Sequence, residues 1–115
     1  MIPVCLVLPI LSGKSGAARA FQVELDTTRK PDYARSERRL GVAKEYWYIA
    51  NLPSGDHLVG YFEVEDLDRV MSAFIASTDS FDLWFKRSLA DVTGVDLNNP
   101  PADMKLPELV SRYEA

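Results

Sequence analysis

Four side chains in one short stretch are close enough in type and spacing to act together: Tyr46, Tyr48, His57 and Tyr61. His57 is the single histidine of the chain, so it is the one imidazole that can change charge near neutral pH. As a base it could take a proton from a substrate that the tyrosines orient. As an axial ligand it could hold a haem iron. With no chemistry at all, the four could line a pocket for a small, partly apolar molecule. A histidine beside a turn is usually only half exposed, and no pair among the Asp and Glu residues has the spacing of an acid–base couple or a metal site. Binding is therefore the leading reading, and a cofactor-independent oxygenase or isomerase with His57 as its base is the alternative. Neither reading calls for a cofactor.

These residues can share a site only if Val42–Val64, VAKEYWYIANLPSGDHLVGYFEV, is a β-hairpin. Its aromatic and β-branched runs suit strands, and Pro53, Ser54 and Gly55 suit the turn between them. Placing Tyr46 opposite Tyr61 sets Tyr48 against Val59, Ala50 against His57, and Lys44 against Glu63. One face then carries Lys44, Tyr46, Tyr48, His57, Val59, Tyr61 and Glu63, and the ligand-binding candidates all emerge there. The other carries Trp47, Ile49, Leu58, Gly60, Phe62 and Val64, and Gly60 leaves room for the Trp47 ring. Trp47 is expected to pack beneath the helices beside Phe74 and another apolar helix residue. The tyrosine face is too apolar to leave wet, so a covering partner is expected.

The rest of the chain supplies the support. Val4–Ile10 reads as a strand buried on both faces. The Gly13-Lys14-Ser15 that follows resembles a phosphate loop, but Leu8 stands where the motif needs glycine. A turn with Ser15 as a helix cap is the better account. Ala18, Phe21, Leu25 and Thr28 mark a helix over 16–28. Pro31 interrupts it, and Asp32 caps a second piece that runs to Leu40, with Gly41 at its C-terminal end. Arg29, Lys30, Arg35, Arg38, Arg39 and Lys44 read as a solvated face, with Glu37 paired among the arginines. Leu67, Val70, Met71 and Phe74 give a clean amphipathic helix after Asp66. Asp79 or Ser80 caps another over 81–93, which Gly94 ends. A proline-rich crossing leads to Glu108–Tyr113, which reads as either a last strand or a helical tail and is taken as a strand because it would complete the sheet.

Strand, helix, two strands, helix, extra helix and strand is the split βαβ order of the ferredoxin-like α+β fold. The Gly13-Lys14 loop, the Gly41-Val42 start of the second strand, the Gly55-Asp56-His57-Leu58 turn and the Glu65-Asp66-Leu67 opening of the next helix resemble small bacterial proteins of the dimeric α+β barrel superfamily. That superfamily includes monooxygenases of the antibiotic-biosynthesis type. The resemblance implies an antiparallel sheet and a homodimer, and its features mark fold rather than activity.

Length and charge limit the remaining possibilities. At 115 residues the chain is expected to form one domain. A net charge of −4 gives no basic footprint for nucleic acid. The lone Cys5 excludes an intrachain disulfide. The opening MIPVCLVLPIL lacks a basic n-region and is too short to span a bilayer, so a cytoplasmic protein without a membrane role is expected.

Overall fold

The computed structural model describes residues 1–115. In chain order the elements are β1 (Ile2–Pro9), α1 (Ser15–Asp26), α2 (Lys30–Leu40), β2 (Val42–Leu52), β3 (Gly55–Val64), α3 (Leu67–Ala76) and α4 (Ser80–Thr93). The strands form one antiparallel sheet in the order β1-β3-β2. This is the ferredoxin-like α+β arrangement without its last strand, and with two helices in the first crossover. The hairpin register matches the sequence reading pair for pair: Lys44 with Glu63, Tyr46 with Tyr61, Trp47 with Gly60, Tyr48 with Val59 and Ala50 with His57. A bulge between Val42 and Lys44 starts β2.

Strand alternation sends one set of side chains under the helices. Leu6, Leu8 and Leu58 are buried there in one cluster with Ala18, Phe21 and Leu25 of α1 and Phe81, Phe85, Leu89 and Val92 of α4. Trp47 meets Phe62 edge-on at 5.5 Å and Phe85 at 6.1 Å, and Phe74 stands against Phe85 at 5.7 Å. Edge-on aromatic contacts of this kind add to the burial term.

Local chemistry sets the helix ends. The Asp66 carboxylate accepts from the Arg69 amide at 3.1 Å, and Asp79 accepts from the Phe81 amide at 2.8 Å. Each satisfies an amide that has no partner within its own helix. Gly41 and Gly94 end α2 and α4 in the left-handed region (φ 87° and 77°), which only glycine enters cheaply. The end of α3 is held from outside. Lys86, fully buried on α4, donates from Nζ to the carbonyls of Phe74, Ile75 and Ser77 at 2.9–3.2 Å. Burial pushes the pKa of this ammonium down, and three carbonyls at a helix C-terminus offset that cost.

Four expectations are corrected. Glu108–Tyr113 is neither strand nor helix; it is irregular, with Leu109, Val110 and Tyr113 at 57%, 82% and 80% exposure. A strand needs a paired edge and a covered face, and within this chain the segment has neither. β1 is buried on one face only, since Val7 is 41% exposed; it is an edge strand whose second face looks out. Ser15 caps nothing: α1 begins without a side-chain cap, and the Ser15 hydroxyl instead donates to Asp56 at 2.6 Å. Pro31 opens α2 rather than breaking a helix, because its missing amide donor costs nothing in a first turn, and Asp32 lies inside α2, paired with Arg35 at 3.0 Å.

The Trp47–Gly60 pairing is tight. A Cβ at Gly60 would stand 2.9 Å from both the Trp47 and the Phe62 rings. Gly60→Ala is expected to lower stability by about 1–3 kcal/mol through overpacking. Urea unfolding reads this, and an unchanged midpoint would show the aromatic layer to be slack.

Candidate functional site

The alternation that turns Trp47 inward also turns Glu45 inward, two residues earlier on β2. Opposite it, α2 presents Tyr33, Ser36, Glu37 and Leu40, spaced i, i+3, i+4, i+7 on one helix face. A polar patch therefore sits in the middle of a buried stripe. The Tyr33 hydroxyl donates to Glu45 Oε2, and the Trp47 indole N–H donates to the same oxygen at 2.8 Å. Glu37 lies within hydrogen-bonding reach of Glu45. Its Oε2 is buried and has no other partner.

Two carboxyls in contact out of water cannot both ionise cheaply. Burial, then the charge of Glu45, raises the pKa of Glu37 well above its ordinary 4.5. Burial also raises that of Glu45, against the pull of its three donors. Tyr33 is pushed up by burial and by the neighbouring Glu45, so it stays a donor. The donors decide which acid keeps the proton. Glu45 has Tyr33 and Trp47 to stabilise its charge, whereas Glu37 has no donor. Glu37 is therefore the better placed of the two to keep a proton.

A second polar network fixes the rotation of α2. Asp82, fully buried on α4, accepts from Ser36 Oγ at 2.5 Å, Arg39 Nη2 at 2.6 Å and Ser77 Oγ at 2.6 Å. Ser36 precedes Glu37 in sequence, so this anchor also sets where Glu37 points. A buried charge with three donors is tolerated where an unpaired one would not be.

The acid pair faces an apolar cavity of about 80 Å³ between the sheet and helices α2, α3 and α4. Val4, Phe62, Val70, Phe74 and Leu106 are among its walls. Leu67, Val70, Met71 and Phe74 of α3 all line it, and α3 has no fully buried residue. The helix covers this space and is anchored at Phe74, which packs against Phe85.

Tyr46, Tyr48, His57 and Tyr61 are on the opposite face of the sheet. Tyr46 and Tyr61 are neighbours, with ring centroids 6.2 Å apart. Tyr61 donates to Glu63 at 2.8 Å, which raises its pKa. Tyr48 is 58% exposed one step along, opposite Val59. His57 is further on, against Ala50 and Pro9, with its Nδ1 3.0 Å from the Gly55 carbonyl. Four residues of strand separate it from Tyr61, about 13 Å at the usual rise. The structure thus joins two tyrosines and leaves His57 with the turn.

Sequence reasoning missed Glu45 and Glu37. Glu37 was expected on a solvated face among arginines; it faces the interior, because its helical stripe is that of Tyr33 and Leu40. The signals were the parity of Glu45 with Trp47 and the 33-36-37-40 spacing.

No family model and no curated protein matches the sequence. Among solved structures, the chain is similar over its whole length to tetracenomycin F2 cyclase from Streptomyces glaucescens, described as a type-II polyketide cyclase. The TM-score is 0.60 at 16% identity, covering 100% of this chain and 99% of that one. The likeness is one of α+β fold. The fold agrees with the resemblance read from the glycine-containing turns. No helix is long and apolar enough to cross a membrane.

The raised pKa of Glu37 has a consequence for stability. The folded protein keeps a proton that the unfolded chain releases above about 4.5, so this stabilisation is complete below that pH and is lost as pH rises towards the folded value. Glu37→Gln keeps a donor to Glu45 and removes the proton linkage. The stability of the wild type relative to Glu37→Gln should therefore fall with pH, by up to about 1.4 kcal/mol per unit above the ordinary carboxylate range. Parallel pH profiles of the two urea midpoints would mean that Glu37 is ionised in the fold.

Proposed function

We propose that the interior cavity binds a small, partly apolar molecule and moves protons on it, with Glu45 as base and Glu37 as acid. The observation behind this reading is the pair of buried carboxyls, Glu37 and Glu45, in an otherwise largely apolar wall. The Glu45 carboxylate takes a proton from carbon next to a carbonyl, and Glu37 gives its proton to the oxygen as charge develops there. Glu45 is then the acid and Glu37 the carboxylate. One proton transfer between the two neighbouring carboxyls restores the starting state. Tyr33 and Trp47 hold the base in place and stabilise its charge. Acid–base catalysis of this kind contributes about 10²–10⁴-fold.

The structural neighbour is a cyclase of polyketides. Ring closure of a polyketone by aldol addition consists of the same two transfers, from carbon to base and from acid to oxygen. An enzyme of cyclase or isomerase type, working without a cofactor, is thus the reading best supported here, ahead of a binding module without chemistry. The test is exchange of the α-hydrogens of 2-tetralone in deuterium oxide, followed by proton NMR. The wild type should accelerate exchange above buffer. Glu45→Gln, which preserves shape, should lose about 100-fold or more of that acceleration. A Glu45→Gln variant with full activity would contradict the assignment.

The same reading gives the open face to a second copy of the chain. Tyr46, Tyr48 and Val7 are each 41–58% exposed there, on a sheet whose helices all lie on the other side. Burying large side chains of this kind gains roughly 1.5–3 kcal/mol each when complete, and an isologous pair of such faces is the commonest symmetry. Light scattering should give about twice the 12.9 kDa of one chain. A monomer at micromolar concentration would refute the pairing.

A further inference from the structure

Tyr33, Glu45 and Trp47 line the interior cavity, and they also line a second space on their other side. This is an open groove of about 580 Å³ along the outer edge of β2. Its far wall is α1, where Arg19, Gln22, Val23 and Asp26 fall at i, i+3, i+4 and i+7 and so share one face. The polar groups of that wall are unequally occupied. Asp26 is paired with Lys30 at 3.8 Å. Arg19 makes no salt bridge to any carboxylate within 4.0 Å, and Gln22 Nε2 is shielded from water with no hydrogen-bond partner. A shielded donor without a partner is costly, and a turn of the Gln22 side chain toward an acceptor oxygen in the groove would relieve it.

We infer that the groove is the outer half of one continuous site, in which Arg19 and Gln22 receive an acceptor oxygen of a molecule whose apolar end passes the Tyr33–Glu45–Trp47 wall into the interior cavity. The division of space supports this. The inner cavity of about 80 Å³ has room for a small apolar group, and the groove is several times larger. A molecule held this way is elongated, apolar at one end and oxygen-bearing at the other. A neutral oxygen suits the groove better than an anionic one, because Glu45 and Asp26 both face the same space. The inference rests on the proposed interior site only in taking Glu45 as the boundary between the two halves; binding can be measured without any proton transfer.

The test uses 2-acetylnaphthalene and 2-isopropenylnaphthalene, which have the same shape with oxygen or CH₂ at one position. Binding is read by saturation-transfer NMR. The wild type should bind the ketone more tightly than the alkene. Arg19→Met should weaken the ketone about tenfold and Gln22→Leu about fivefold, with the alkene changed less than about twofold, as for the loss of one hydrogen bond each. Val70→Phe, which fills the inner cavity from α3, should weaken both probes alike. Equal losses of ketone and alkene in Arg19→Met and Gln22→Leu would overturn the oxygen site. Unchanged binding in Val70→Phe would overturn the continuity of the two halves, and so would failure of both probes to bind the wild type. If Glu45→Gln proves fully active in exchange while these binding patterns hold, the catalytic reading fails and the two-part site stands.

Discussion

The closeness of Glu37 and Glu45 on one cavity wall is the constraint around which the inner face is arranged. Two acids in a dry layer are costly unless one keeps its proton and the other is surrounded by donors. Tyr33 and Trp47 meet the second condition from two different elements, a helix and a strand. They can do so only if α2 crosses β2 at one rotation and β2 keeps its register on β3. The Asp82 network with Ser36, Arg39 and Ser77 fixes the first, and Gly60 beneath Trp47 fixes the second. Lys86 secures the end of α3, the helix that covers the cavity. Much of the buried polarity of the chain is thus connected, directly or through one neighbour, to the position of one carboxylate.

This is more buried charge than stability needs. A hydrocarbon pair at Glu37 and Glu45 would pack the layer at lower cost, and a leucine over the cavity would fill it. Costly buried groups beside an unfilled apolar space are where functional sites are expected.

The hairpin was legible in the sequence down to its individual pairs, because the period of two and the Pro-Ser-Gly turn leave little freedom of register. The amphipathic stripes of α3 and α4 were legible for the same kind of reason. The candidate site was not. Reading for chemistry favoured His57 and the tyrosines, which are conspicuous by type. Glu37 is hidden among arginines in a helix that looks solvated, and Glu45 is hidden by its neighbours Tyr46 and Trp47. A charged residue is assigned to the outside by default, and only the parity of Glu45 and the 33-36-37-40 spacing argue otherwise. The last segment misled for another reason. Glu108–Tyr113 has strand-like residues, but strand formation depends on an edge to pair with, which composition does not report.

The proton on Glu37 tests this account most directly. In protein labelled with ¹³C at the glutamate side-chain carboxyls, the shift of each group reports its ionisation across a pH titration. The account predicts that at neutral pH one buried glutamate, assigned to position 37 by its absence in Glu37→Gln, keeps the shift of a carboxylic acid while Glu45 has that of a carboxylate. If instead both groups titrate together near the ordinary value of 4.5, the pair is open to water and the site has no acid held in reserve.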